Sequence, residues 1–204
     1  MWIFGYGSLL WYTDFPYERA VPGVVRGFAR RFWLRSVNHR GTQEKPGRAV
    51  TLVPDETEWV WGVAYKVAEE RAPEVRQYLD WREKANYAPR RVLFYPDDDD
   101  HSAQEQQQKE GPFELEVYIS PQSEDNEHYA GEESVEQIAR TVVSSAGPSG
   151  TNIEYVLRLA HAVRKGKGGV LEDEHLLALE KRLLQLCRDG HIVDDCFHEL
   201  GIRL

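Results

Sequence analysis

Along the first 120 residues the apolar positions gather into six short stretches: Trp2–Tyr6, Val24–Leu34, Ala49–Val53, Trp59–Val67, Arg91–Tyr95 and Phe113–Ile119. Each is rich in Val, Tyr, Phe or Trp, and Gly, Pro or Asp punctuates most of their ends, which predicts strands joined by turns. Residues 59–65 are apolar almost without a break, as in a strand covered on both faces. Beyond residue 120 the period changes. Ser134–Ser145, Asn152–Val163 and Asp173–Cys187 carry apolar residues at helical spacing, for example Leu176, Leu179, Leu183 and Leu186. Strands first and helices later predict an α+β fold, a curved sheet or barrel with helices packed outside.

One helix falls among the strands. Pro73 suits its first turn, and Val75, Leu79 and Glu83 come after it at spacings of four, with Tyr78 and Arg82 on the adjacent row. Glu83 thus ends the stripe that faces the core. A carboxyl there is costly to ionise, so its pKa rises and it becomes a general acid/base candidate. A helix-end salt bridge with Arg82 or Lys84 explains the same residue equally well. Glu74 lies half a turn out of phase, so the two acids do not form a paired dyad.

Composition narrows the classes. The chain has 204 residues, long enough for a real core, with 25 Lys and Arg against 34 Asp and Glu, a net charge of −9. That balance argues against nucleic acid and anionic membrane surfaces as partners, and no apolar run is long enough to span a bilayer. The first residues lack a basic segment and a cleavage pattern, so no secretory leader is expected. Cys187 and Cys196 are close together in sequence and read as reduced thiols of a cytosolic protein. Residues 97–111, DDDDHSAQEQQQKEG, read as a mobile polar hairpin insertion between two strands, with no metal site expected at its acid run and His101.

Three further motifs carry candidate chemistry. Phe4-Gly5-Tyr6-Gly7-Ser8-Leu9 is a strand running into a glycine-bearing turn whose N–H groups suit a carboxylate or phosphate. The dinucleotide-binding fingerprint fails because Leu10 stands where its third glycine belongs, and a tight structural turn explains the glycines too. Ala146-Gly147-Pro148-Ser149-Gly150-Thr151-Asn152 reads as a hinge between helices, with Gly147 as C-cap of the first and Ser149 or Thr151 as cap of the second. Tyr155 lies on that second helix. His191–His198 has zinc-type ligands without zinc-type spacing and reads as a loosely ordered tail.

Taken in order, these segments resemble one family. Phe4–Trp11 resembles the FGYGSLIW opening of ChaC-type gamma-glutamylcyclotransferases, with Leu10 for isoleucine. Arg30-Arg31-Phe32-Trp33, Asn38-His39-Arg40-Gly41-Thr42 and Lys45-Pro46-Gly47-Arg48 resemble its RRFW…DHRGTPEKPGR segment, with Asn38 as a departure. Val60–Tyr65, Tyr78–Lys84, Ala146–Gly150 and Asn152-Ile153-Glu154-Tyr155 continue the likeness in register. Ala85-Asn86 stands where the family has a glycine pair, and the tail from Arg188 has no counterpart. The resemblance covers residues 1–187 as one domain, with 188–204 as a C-terminal tail.

The resemblance implies a small mixed β-barrel flanked by helices, and cleavage of reduced glutathione to 5-oxoproline and cysteinylglycine with no metal or organic cofactor. It implies that Glu83 is the catalytic acid/base. It implies that the backbone over Ile3, Phe4, Gly5, Tyr6, Gly7 and Ser8 binds the γ-glutamyl group, and the turn adds Leu9 as a donor. Tyr155 is expected to orient that group, and Arg40 or Arg48 to attract an anionic end. A cytosolic monomer or homodimer is expected. Other γ-glutamyl amino acids or amines as substrates, or a catalytically silent binding module, are the competing readings.

Overall fold

The computed structural model describes residues 1–82, 87–97, 111–123, 125–166 and 173–204. Glu83, Lys84, Ala85, Asn86 and nearly all of the polar insertion lie outside the described residues. The elements run β1 (Trp2–Gly5), β2 (Arg19–Ser36), β3 (Gly47–Lys66), α1 (Ala72–Arg82), β4 (Ala88–Pro96), β5 (Phe113–Ile119), α2 (Val135–Ser144), β6 (Ala146–Gly147), β7 (Gly150–Thr151), α3 (Asn152–Gly166), α4 (Glu174–Asp189) and α5 (Asp195–Glu199). The five longer strands close a barrel in the order β1-β3-β2-β4-β5. It is mixed: β1 pairs antiparallel with β3, Trp2 opposite Lys66, and parallel with β5, Ile3 opposite Glu116. The expected α+β barrel with helices is the architecture observed.

The residues form two compact units, Met1–Ala29 with Pro54–Ile119, and Arg30–Val53 with Ser120–Leu204. The core of the first gathers Ile3, Phe15, Tyr65, Val67, Val75, Leu79 and Tyr118. Val75 and Leu79 are the first two members of the predicted stripe, and both are buried. Phe4, Phe94 and Phe113 add a tilted aromatic chain, with centroids 5.7 and 5.3 Å apart.

In the second unit each long helix starts on a side-chain cap. Ser134 and Gln137 form a reciprocal capping box on α2. The Thr151 hydroxyl accepts the Glu154 N–H on α3, and the Asp173 carboxylate accepts the Leu176 N–H on α4. Asp173 also binds the fully buried Arg30 at 3.0 Å. One carboxylate therefore caps a helix and neutralises a buried cation, which is how so deep an arginine is accommodated.

Three expectations are revised. Ala49–Val53 and Trp59–Val67 are one continuous strand, because the polar stretch between them stays extended and exposed, with Asp55 binding Thr57. Gly147 does not cap α2. It pairs with Gly150 in the β6–β7 ladder, and a Cβ there would sit 2.3 Å from the His39 carbonyl oxygen. The tail is not loose either: Asp194 caps α5, and Cys196 and Phe197 are buried.

His175 lies against the Phe32 ring at 6.0 Å, and burial, reinforced by the Arg31 charge, pushes its imidazole down to about 4. The folded chain therefore refuses a proton that the unfolded chain accepts below about 6.5. Stability falls as pH drops from 6.5 towards 4 and is unaffected above that window. A non-titrating His175→Gln variant should lose about 2 kcal/mol less than the wild type between pH 7 and pH 4.5, read by urea unfolding. Equal losses in the two proteins would remove His175 from the account.

Candidate active site

The strand–turn at the start of the chain combines close packing with access. Ile3–Tyr6 are buried, whereas Gly7, Ser8 and Leu9 are half-buried. Ile3 and Phe4 serve the core, and their backbone lies in the β1–β3 ladder opposite Tyr65 and Ala64. Gly5 is required by crowding: a Cβ there would fall 2.9 Å from the Leu9 Cβ and 3.0 Å from the Tyr65 ring. Across the ladder, a Cβ on Gly62 would meet the Gly5 carbonyl oxygen at 2.4 Å. Two glycines on facing strands let the turn fold back upon the sheet.

Several side chains then brace it. Tyr65 and Thr13 each donate a hydroxyl hydrogen bond to the Leu9 carbonyl at 2.8 Å. Burial raises the Tyr65 pKa, which keeps that donor protonated. Tyr6 donates to the Tyr118 carbonyl at 2.8 Å, and Tyr118 in turn donates to Asp80 at 2.9 Å. Within the turn, the N–H groups of Leu10, Trp11 and Tyr12 are used on the carbonyls of Gly7 and Ser8. The N–H groups nearer Gly7, Ser8 and Leu9 are the ones the sequence reading offers to a ligand.

The last turn of α1 stands beside this loop. Arg82 donates one arm of its guanidinium to Ser8 Oγ at 3.0 Å and the other to Asp14 at 2.5 Å. Tyr78, one turn earlier, donates its hydroxyl to the same Asp14. Glu83 comes directly after Arg82 but lies outside the described residues. Glu74 is exposed and pairs with Arg71 at 3.1 Å, which removes it as a buried acid.

The remaining candidates belong to the second unit. Tyr155 is buried, edge-on to Phe32 with centroids 6.1 Å apart. Arg40 lies 5.8 Å over the Tyr155 ring, binds Glu154, and donates to the Thr151 carbonyl at 3.0 Å. Burial acts to raise the Glu154 pKa, but the hydrogen bonds from Arg158 and Arg40 outweigh it and hold the carboxyl below its usual range. Arg48 makes a two-pronged bond to Glu133 at 2.6 and 2.8 Å. Both arginines are therefore already matched to carboxylates.

Cys187 and Cys196 are free and buried. Burial, with the Asp194 charge, pushes the Cys187 thiol up to about 11, and burial followed by hydrogen bonding to Asp194 raises Cys196 as well. Neither is a thiolate at neutral pH, so neither is a nucleophile candidate. Among the described residues, no group of three or more His, Cys, Asp or Glu is placed to hold a metal ion, and no helix is long and apolar enough to cross a membrane.

Reading the sequence missed Asp14, Tyr65, Thr13 and Glu154. Only the shared helical row of Tyr78 and Arg82 pointed towards a common partner.

A family model describing ChaC-like proteins matches residues 1–186. The chain is 40% identical over 190 residues to glutathione-specific gamma-glutamylcyclotransferase 1 of Danio rerio, covering 92% of this chain and 91% of that protein. The Homo sapiens protein of the same name is 40% identical over 182 residues, covering 88% and 76%. A crystal structure of a yeast gamma-glutamylcyclotransferase specific to glutathione superimposes with a TM-score of 0.80 at 29% identity, over 91% of this chain and 96% of that one. With a family match over residues 1–186, which takes in the barrel and most of the helical part, the chain belongs to the ChaC-like family.

Proposed function

We propose that the protein cleaves reduced glutathione into 5-oxo-L-proline and L-cysteinylglycine. The observation that carries this reading is the match over residues 1–186 to a family whose relatives bear that activity in their names, with the glycine turn present and braced. The nucleophile is the substrate's own α-amine, which attacks the γ-carbonyl carbon. A C–N bond forms to close a five-membered ring, and the C–N bond to the cysteinyl residue breaks. The enzyme's work is chiefly to fold the substrate into reacting geometry.

Protons must still move. The attacking nitrogen must lose one, and the leaving amine must gain one. A single carboxylate does both, accepting the first and delivering it to the second, and Glu83 is assigned that role. The transfer balances with no further reactant. The N–H groups around Gly7, Ser8 and Leu9 are assigned to the γ-glutamyl carboxylate, whose charge suits such donors. Tyr155 keeps the orienting role that the resemblance implies. Arg40 and Arg48, each already paired with a carboxylate, Glu154 and Glu133, are assigned to an anionic end as the weaker candidates. The cytosol, where glutathione is kept reduced, is the compartment this reading requires.

The test is direct. Purified protein with reduced glutathione should yield 5-oxoproline and cysteinylglycine in equal amounts, with γ-glutamyl-alanine and γ-glutamyl-lysine as comparators. Preferential turnover of a comparator would transfer the assignment to another γ-glutamyl substrate, and no turnover of any would leave a binding module.

A further inference from the structure

Asp14 takes no part in the proposed reaction, yet its carboxylate binds the Arg82 guanidinium and the Tyr78 hydroxyl together at the end of α1. Tyr78 and Arg82 are four apart on one helical row, so a single acceptor can reach both. The Arg82 and Asp14 side chains are only 12% and 21% exposed, a pair shielded enough to hold its geometry. Burial, and then the Asp14 hydrogen bond, raise the Tyr78 pKa, so it remains a donor. Arg82 uses its other arm on Ser8, the first residue of the short 3₁₀ turn Ser8–Leu10.

We infer that Asp14 is a positioning residue: by fixing Arg82 it holds the Ser8 end of the turn in the conformation that receives the γ-glutamyl carboxylate. This rests on the function proposed above. A merely structural role fits poorly, because α1 is docked independently. Val75 and Leu79 sit in the core with Ile3, Tyr65, Val67 and Tyr118, and Tyr78 packs against that core, so this anchoring does not depend on Asp14. The other end of the turn is braced separately, through the Leu9 carbonyl. Without Asp14, Arg82 loses its carboxylate partner and keeps its contacts to Ser8 and the Tyr12 ring, so it holds Ser8 less firmly while the hydrophobic anchoring remains. The carboxylate of the γ-glutamyl group carries the same charge before and during ring closure. Weakening its seat therefore weakens ground and transition states alike, and the loss falls on KM.

The experiment is a double-mutant cycle in the full chain, Asp14→Asn, Ser8→Ala and the pair, with steady-state glutathione kinetics and hydrogen exchange over residues 7–13. Asp14→Asn should raise KM about tenfold with kcat within about twofold, and should speed exchange of the turn. The pair should be no worse than the poorer single variant, since Asp14 acts through Ser8. Asp14→Glu, which keeps the charge, should hold KM within about threefold of wild type even if the asparagine variant folds poorly. Unchanged exchange, an unchanged KM, or single effects that multiply would each overturn the assignment. A wild type inert towards glutathione would overturn the proposed function instead, and the exchange measurement would still decide whether Asp14 holds the turn.

Discussion

Glu83→Gln should reduce glutathione cleavage by at least about a thousandfold while leaving the protein folded. Positioned proton transfer contributes roughly 10²–10⁴ in rate, and this carboxyl is assigned two transfers in one cycle. An amide matches its size but neither takes a proton from the attacking nitrogen nor returns one to the leaving amine. The assignment rests on the family resemblance, and the sequence phase agrees with it: Val75 and Leu79 are buried where the stripe places them, and Glu83 follows at the same spacing of four. The melting temperature should stay within about 2 °C of wild type, since α1 is anchored by those two buried apolar residues. A folded variant that keeps more than a few per cent of wild-type kcat would end Glu83's candidacy. Glu83→Asp, which keeps the acid but shortens its reach, should fall between the two.

Asn152→Ala should destabilise the fold by about 3–5 kcal/mol, a larger loss than either charge change at Glu83 or His175. Asn152 is fully buried, and its amide is paired at both ends with one residue. Its carbonyl accepts the Arg48 N–H at 2.6 Å, and its amino group donates to the Arg48 carbonyl at 2.9 Å. The side chain thus imitates a strand neighbour for β3. Alanine would leave a buried donor and a buried acceptor unmatched, each costing about 1–3 kcal/mol. Gly47 makes the arrangement possible, since a Cβ on it would lie 2.6 Å from the Asn152 carbonyl oxygen. Urea unfolding of the variant measures the loss directly, and a change below about 1 kcal/mol would show that another group takes over the Arg48 backbone.

How much the residues disclosed in advance depends on the range of the forces involved. Helices α2, α3 and α4 were readable because their signals are local: apolar spacing, and caps at Ser134, Thr151 and Asp173. The union of two strands into β3 was hidden, because Pro54-Asp55 is turn chemistry and only pairing with neighbouring strands keeps it extended. Gly147 looked like a helix cap because a close approach to His39 is a tertiary fact. Helix α5 escaped notice because five residues give almost no period to read. The site divides likewise. The glycine turn and the odd phase of Glu83 are local and visible, whereas Asp14 becomes meaningful only when the fold brings it to Arg82, 68 positions away in sequence.

The ordered segment beyond the family match bears on how the chain is best cut for expression. Asp194 accepts the Thr151 hydroxyl at 2.6 Å, and Thr151 caps α3, while Ile192 donates its N–H to the carbonyl of Cys187. Glu199 reaches Arg158, and through it Glu154. Trimming at residue 186, where the family match stops, would discard all of these partners. It would also remove the buried Cys196 and Phe197 of α5, which packs against α3, and so bare apolar surface on that helix. The shortest well-packed product therefore has to retain residues through about 202, whose N–H still bonds the Phe197 carbonyl, however dispensable they look beside the family pattern.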